Sequence, residues 1–207
     1  MFNFLNRKTE AQKRSNKWTF GTMFVAGLLA LAASFVLTIE KFHLLENPDA
    51  VLSCSFNVIL NCSTVMQTWQ ASVFGFPNAP IGVMAYAAVM TIALIGLMGF
   101  RFPRWYAITT HIGYFFGLVF AYWLLFQSVY VIQVLCPWCL VVTFTTTLIF
   151  ATMTNYVLRE NSYGFNKKVN NKIQSFLDKD YHKLIVASWI VLVIALIILE
   201  FGEALFA

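Results

Sequence analysis

Four stretches of this chain, at 18–39, 78–100, 105–158 and 184–199, contain no Asp, Glu, Lys or Arg, and nothing else in the sequence limits its fold so tightly. A helix of about 20 residues crosses the hydrocarbon of a bilayer. The third stretch is too long for one such span and too short for three, and its most polar neighbourhood, Gln127, Ser128 and Gln133, divides it in two. Five transmembrane helices are therefore expected in an all-α integral membrane protein, at 18–39, 80–100, 105–127, 136–157 and 184–204. The chain is 59% hydrophobic and 11% charged, whereas soluble domains carry about 25% charged residues. The last helix has the shortest uncharged core, which puts Glu200 and Glu203 at the headgroups and lets Lys183 snorkel at the other end.

The 14 Lys and Arg residues set the orientation. Arg7, Lys8, Lys13, Arg14 and Lys17 precede the first helix and are expected to stay cytoplasmic. The next segment, on the outside, carries only Lys41. The inside turns carry Arg101 and Arg104, then Arg159, Lys167, Lys168, Lys172, Lys179 and Lys183. The pI of about 9.1 follows from this topology and from anionic lipid, so no nucleic-acid partner is implied. The expected organisation is a cytoplasmic basic tail at 1–17, a four-helix unit at 18–157 with an outside loop at 40–79, a cytoplasmic connection at 158–183 and a fifth helix at 184–207. The apolar run behind the tail is too long for a signal-peptide core and shows no obvious cleavage site, so the tail is read as retained.

This topology places all four cysteines in one compartment. Cys54 and Cys62 lie in the outside loop, and Cys136 and Cys139 open the fourth helix at its outside end. The outer face of a bacterial plasma membrane and the lumen of the endoplasmic reticulum are oxidising, so these thiols can cycle through disulfides. A Cys-x-x-Cys at a helix N-terminus is placed to be reactive, because free backbone N–H groups and the helix dipole stabilise a thiolate. Pro137 fits the first turn, where a missing N–H costs nothing, and Trp138 suits the interface belt. A flexible loop carrying Cys54 and Cys62 could supply the second dithiol of a relay. Static disulfides, inert buried thiols and a four-thiolate zinc site are the alternatives. Metal is disfavoured, since Cys54 and Cys62 are spaced by eight and His43, His111 and His182 are scattered in depth.

The ordered set Cys54-(x7)-Cys62-Ser63-Thr64-Val65, Phe74-Gly75-Phe76-Pro77-Asn78-Ala79-Pro80-Ile81-Gly82-(x3)-Tyr86 and Cys136-Pro137-Trp138-Cys139 resembles the vitamin K epoxide reductase family, over roughly residues 20 to 157. Disulfide-bond protein B has a similar activity but carries its Cys-x-x-Cys in the first outside loop. The resemblance implies a four-helix bundle around a quinone, menaquinone or ubiquinone, capped by the loop and a short interfacial helix. Residues 64–76 suit that helix, with Val65, Met66, Trp69, Val73 and Phe76 on its apolar side. The resemblance also implies a shuttle pair, Cys54 and Cys62, and a pair beside the quinone, Cys136 and Cys139. A separate extracytoplasmic thioredoxin-fold (DsbA-like) protein would attack the outer Cys54, and Cys139 would pass electrons to the quinone.

Thr68, Asn78 and Tyr86 are carried over as quinone or loop contacts, each with a plain structural alternative: a capping hydroxyl, a helix-entry residue and a buried hydrogen-bonded phenol. Gly82 is read as a packing residue. Vertebrate members have a tyrosine four positions beyond the second cysteine pair, where this chain has Thr143, and epoxide reduction is not inferred. Thr143 bonded to its own helix is the expected arrangement. A scaffold or transporter with two static disulfides is the competing class. A transporter needs ionisable groups at mid-membrane depth, and only His111 approaches that, as a solvated or backbone-bonded residue.

Overall fold

The computed structural model describes residues 2–48, 52–55, 57 and 59–206, with side chains described only within 15–202. The basic side chains Arg7, Lys8, Lys13 and Arg14, and that of Glu203, lie outside the described residues. Among the described residues the regular structure is helical: α1 (Phe2–Glu46), α2 (Cys62–Gln67), α3 (Ala79–Leu97), α4 (Arg104–Phe126), α5 (Pro137–Arg159), α6 (Lys167–Asp178) and α7 (Tyr181–Phe206). Five helices are long and apolar enough to cross a membrane, at Ser15–Glu46, Ala79–Leu97, Arg104–Ile132, Pro137–Arg159 and Tyr181–Gly202.

The expected bounds of the first helix are too short. Helix α1 has no proline to stop it until Pro48, so it runs through Lys41 and shortens the loop that follows. Helix α3 ends in a Schellman motif at Gly99 (φ +88°), with Gly99 N–H donating to Gly96 C=O at 3.0 Å and Phe100 N–H to Ile95 C=O at 3.4 Å. Helix α5 ends the same way at Asn161 (φ +48°), where Ser162 N–H donates to Val157 C=O at 3.0 Å. Helix α4 loosens into a π-helical turn, Gln127–Ile132, closed by Gln133 in the left-handed region.

Helix α1 packs against α3 and α5, and α4 packs against α5. Bilayer lipid is as apolar as the helix faces, so such contacts depend on close approach rather than on escape from water. Glycines provide that approach. A Cβ on Gly96 would lie 2.5 Å from the ring of the buried Phe20, and one on Gly82 would lie 2.6 Å from Ser34 Oγ, which bears out the packing reading of Gly82. One end of the bundle is filled by Phe20, Met23, Val89, Ile92, Ile149, Met153 and Tyr156. The other is filled by Leu37, Leu44, Leu52, Met66 and the sulfurs of Cys54, Cys62 and Cys136.

Helix α7 lies beside this unit, burying Val193, Ile197 and Phe201 against Val129 and Leu135, and Trp189 Nε1–H donates to Tyr122 Oη at 2.8 Å. The α5–α6 junction is tied by Arg159, which reaches Asp178 Oδ1 at 3.1 Å and Asn155 Oδ1 at 2.9 Å. Replacing Gly96 by Ala drives a methyl into the Phe20 ring, so a loss of about 1–3 kcal/mol is expected. A lower thermal midpoint for the purified Gly96→Ala protein in detergent checks it, and an unchanged midpoint contradicts it.

Candidate functional site

The segment after α1 folds back over the bundle and is stitched to the chain entering α5. Leu135 N–H donates to Ile59 C=O at 2.7 Å, and Asn61 N–H donates to Leu135 C=O at 3.0 Å, which forms a parallel bridge between Leu60 and Leu135. Asn57 Oδ1 accepts from the N–H of Ile59 and Leu60 at 3.0 and 2.6 Å and shapes the turn before it. Asn61 then caps α2, its Oδ1 accepting from Thr64 N–H at 3.2 Å and from Ser55 Oγ at 3.0 Å. Glu40 on α1 accepts from the backbone and hydroxyl of Ser53. The described part of the loop is therefore fixed by hydrogen bonds, rather than the flexible tether the sequence suggested.

These bonds bring the sulfurs together. Cys54 and Cys62 form a disulfide with Cα atoms 5.6 Å apart, and Cys136 and Cys139 are thiols. Cys62 Sγ lies 3.2 Å from Cys136 Sγ. Cys54 is only 2% exposed, so the residue expected to meet a partner first is covered. Cys136 is the N-cap of α5, with Pro137 at the first helical position. Its thiol is pulled below the ordinary 9.0: a hydrogen bond from the Cys139 thiol favours the thiolate most, burial opposes it, and the backbone N–H groups of Cys139 and Trp138 add to it.

Beneath the sulfurs lies a cavity of about 280 Å³, walled mainly by apolar side chains of α1, α3, α4 and α5 and closed by α2. Cys139, Asn78 and Tyr86 all border it; Thr68 does not. Thr68 ends α2 and donates its hydroxyl to Val65 C=O at 2.7 Å, the capping arrangement. Asn78 holds the cap: its Nδ2 donates to Gln70 C=O at 2.7 Å and its Oδ1 accepts from Val73 N–H at 3.2 Å. Tyr86 Oη is 2.6 Å from Thr146 Oγ1. Thr143 also borders the cavity, and its hydroxyl donates to Cys139 C=O at 2.9 Å, as expected of a threonine bonded to its own helix.

Three other residues on the wall were not singled out by sequence reasoning. Lys41 donates from Nζ to Met66 C=O at 2.6 Å. Gln70 Oε1 and Tyr114 Oη are buried and have no hydrogen-bond partner among the described residues. Lys41 was visible as the single cation of its segment, but it was used only to orient the chain. Gln70 and Tyr114 carry no spacing signal. The single interfacial helix expected over 64–76 is instead α2 followed by a 3₁₀ turn at Trp69–Ser72, because Thr68 breaks the helix with extended backbone. Val65 and Met66 turn inward to the cavity, while Trp69, Val73, Phe74 and Phe76 remain exposed.

His111 is half-buried, and its ring bonds to side chains rather than to backbone. Its Nδ1 is 2.8 Å from Tyr163 Oη, its Nε2 is 2.9 Å from Thr154 Oγ1, and its ring stacks on Phe150. The Thr154 proton already goes to Phe150 C=O, so Nε2–H is the donor to Thr154. Among the described residues no group of three His, Cys, Asp or Glu is placed to hold a metal ion.

An all-α bundle with membrane-length helices, carrying a disulfide against a second dithiol above an apolar cavity, defines a multi-pass membrane thiol–disulfide oxidoreductase. A model of the vitamin K epoxide reductase family matches residues 22–154, well over half of the chain, and the protein belongs to that family. Proteins of this family use quinones as electron partners and generally work with a thioredoxin-like protein. No curated protein matches the chain.

The thiol pair gives a titration test. Ultraviolet thiolate absorbance of the parent should rise as pH increases through a value below 9.0 and be lost below it. In Cys139→Ala the strongest stabilising bond is gone, so the midpoint should move up. A midpoint unchanged or lowered in that variant would contradict the assignment.

Proposed function

We propose that this protein reoxidises a secreted thioredoxin-fold partner of the DsbA type and passes the electrons to a membrane quinone, supporting disulfide formation outside a bacterial plasma membrane. The observation that carries the reading is the 3.2 Å approach of Cys62 Sγ to Cys136 Sγ, one helical turn from Cys139 on the cavity wall.

Each step follows from these sulfurs. The partner's thiolate attacks Cys54, a partner–Cys54 disulfide forms and Cys62 leaves as thiolate. The partner's second cysteine resolves that bond and departs as a disulfide, leaving Cys54 and Cys62 reduced. Because Cys54 is covered, docking must first displace the chain above it. Cys62 then attacks Cys136 of a Cys136–Cys139 disulfide and releases Cys139. Cys54 next attacks Cys62, which restores the Cys54–Cys62 bond and leaves Cys136 and Cys139 as thiols.

The cavity suits a flat apolar ring. Gly113 and Gly117 border it with open space where a Cβ would stand, and the Tyr114 hydroxyl is able to donate to a ring carbonyl. Asn78, Tyr86 and Cys139 are the residues carried over to hold the ring. A quinone held there would supply a two-electron, two-proton acceptor, letting the Cys136–Cys139 dithiol close to a disulfide. The chain's own part is to orient a thiolate, exclude water and offer hydrogen bonds.

Anaerobic mixing of protein, quinone and the reduced partner should give one quinol per partner disulfide, and none in Cys139→Ala. Protein cysteines that stay oxidised, with no quinol from either a benzoquinone or a naphthoquinone, would overturn the reading. In Cys54→Ser/Cys139→Ser each remaining cysteine has lost its own partner, and mass spectrometry should find a Cys62–Cys136 crosslink. Its absence under oxidising conditions would remove the relay.

A further inference from the structure

Lys41 is the one Lys or Arg among the described residues on the wall of a mainly apolar cavity, and the thiol chemistry does not use it. Its Nζ donates to Met66 C=O at 2.6 Å, which occupies one of three N–H bonds. Among the described residues it forms no ion pair. Glu40, its neighbour on α1, accepts from Ser53 instead, and the described ion pairs, Arg159–Asp178 and Lys183–Asp180, join residues at the other end of the bundle. The side chain is half-buried, so solvent screens the ammonium only in part. A latch to the Met66 carbonyl does not require it, since any neutral N–H or O–H donor would serve.

The positive charge has an evident use for a ligand. Lys41 shares the lining of this cavity with Cys139, Asn78 and Tyr86, and the carbonyl it holds belongs to Met66, which lines the same wall. At short range in a low-dielectric site, a fixed charge favours whichever ligand oxygen bears, or is acquiring, the opposite sign. We infer that Lys41 makes this cavity selective for rings with an anionic oxygen, so that its ligand class includes ionised hydroxyquinones as well as neutral quinones. The inference rests on the quinone reading above and adds an electrostatic selectivity to it.

The test uses the full chain in lipid nanodiscs with both cysteine pairs oxidised and no reduced partner, so that no turnover occurs. Two probes are titrated, an ionised hydroxynaphthoquinone and the uncharged methylnaphthoquinone of the same ring system. The ratio of their dissociation constants should shift about tenfold against the ionised probe in Lys41→Met, and Lys41→Arg should retain the parent ratio. If both probes weaken equally in Lys41→Met, or neither does, Lys41 is only a latch and the inference fails while the quinone reading stands. If neither probe binds the parent, the quinone reading itself falls. A readout independent of Lys41→Met folding is the colour change of the hydroxynaphthoquinone on ionisation. Its acidity should increase about tenfold on binding to the parent, and an unchanged or decreased acidity overturns the inference.

Discussion

Two backbone hydrogen bonds hold the site together: Leu135 N–H to Ile59 C=O and Asn61 N–H to Leu135 C=O. They join a loop of the first connection to the approach of α5, more than seventy positions later in the chain. Because Cys62 follows Leu60 by two residues and Cys136 follows Leu135 by one, the bridge sets the two sulfurs face to face. Asn57 and Asn61 support the bridge from the loop side, and Pro137 starts α5 on the other. An exchange reaction needs this registration, because a thiolate reacts only with a sulfur it can approach.

The bundle also has to satisfy its polar groups without water, and α5 does so with threonines. The hydroxyls of Thr143, Thr145, Thr146, Thr147, Thr152 and Thr154 all donate to carbonyls of their own helix. Each such hydroxyl has one proton, so its remaining capacity is as an acceptor. Tyr86 must donate to Thr146, Tyr122 to Thr147, and His111 to Thr154. Tyr122 in turn accepts from Trp189, which links α7 through α4 to α5. The direction of each bond between helices is thus fixed by a bond within one helix.

What could be read in the sequence was whatever long runs and ordered spacing encode. Uncharged length located five membrane-length helices, and the polar break at Gln127 and Ser128 fell where α4 gives way to its π-helical turn. The Cys-x-x-Cys before an apolar run placed Cys136 at a helix start, and the order of motifs pointed to the family. Pairings that depend on the folded backbone could not be read. No local pattern indicates that Leu60 pairs with Leu135, that Thr68 breaks the capping helix, or that Asn78 is bound to the backbone of Gln70 and Val73. His111 was misjudged because Tyr163, one of its partners, lies in the connection after α5, far from it in sequence.

Around the cap, Trp69, Val73, Phe74 and Phe76 form an exposed apolar rim, with Trp69 against Trp123 and Phe74 against Phe120 on α4. Large apolar side chains exposed in this way are accepted by lipid and by the interface more readily than by water, and that bears on the mechanics of the cap. Raising the cap as a hinged lid would carry several large side chains into water, at roughly 1.5–3 kcal/mol for each one fully transferred. The rim therefore resists lifting: the same side chains that stay exposed in the protein hold the cap down wherever they meet lipid.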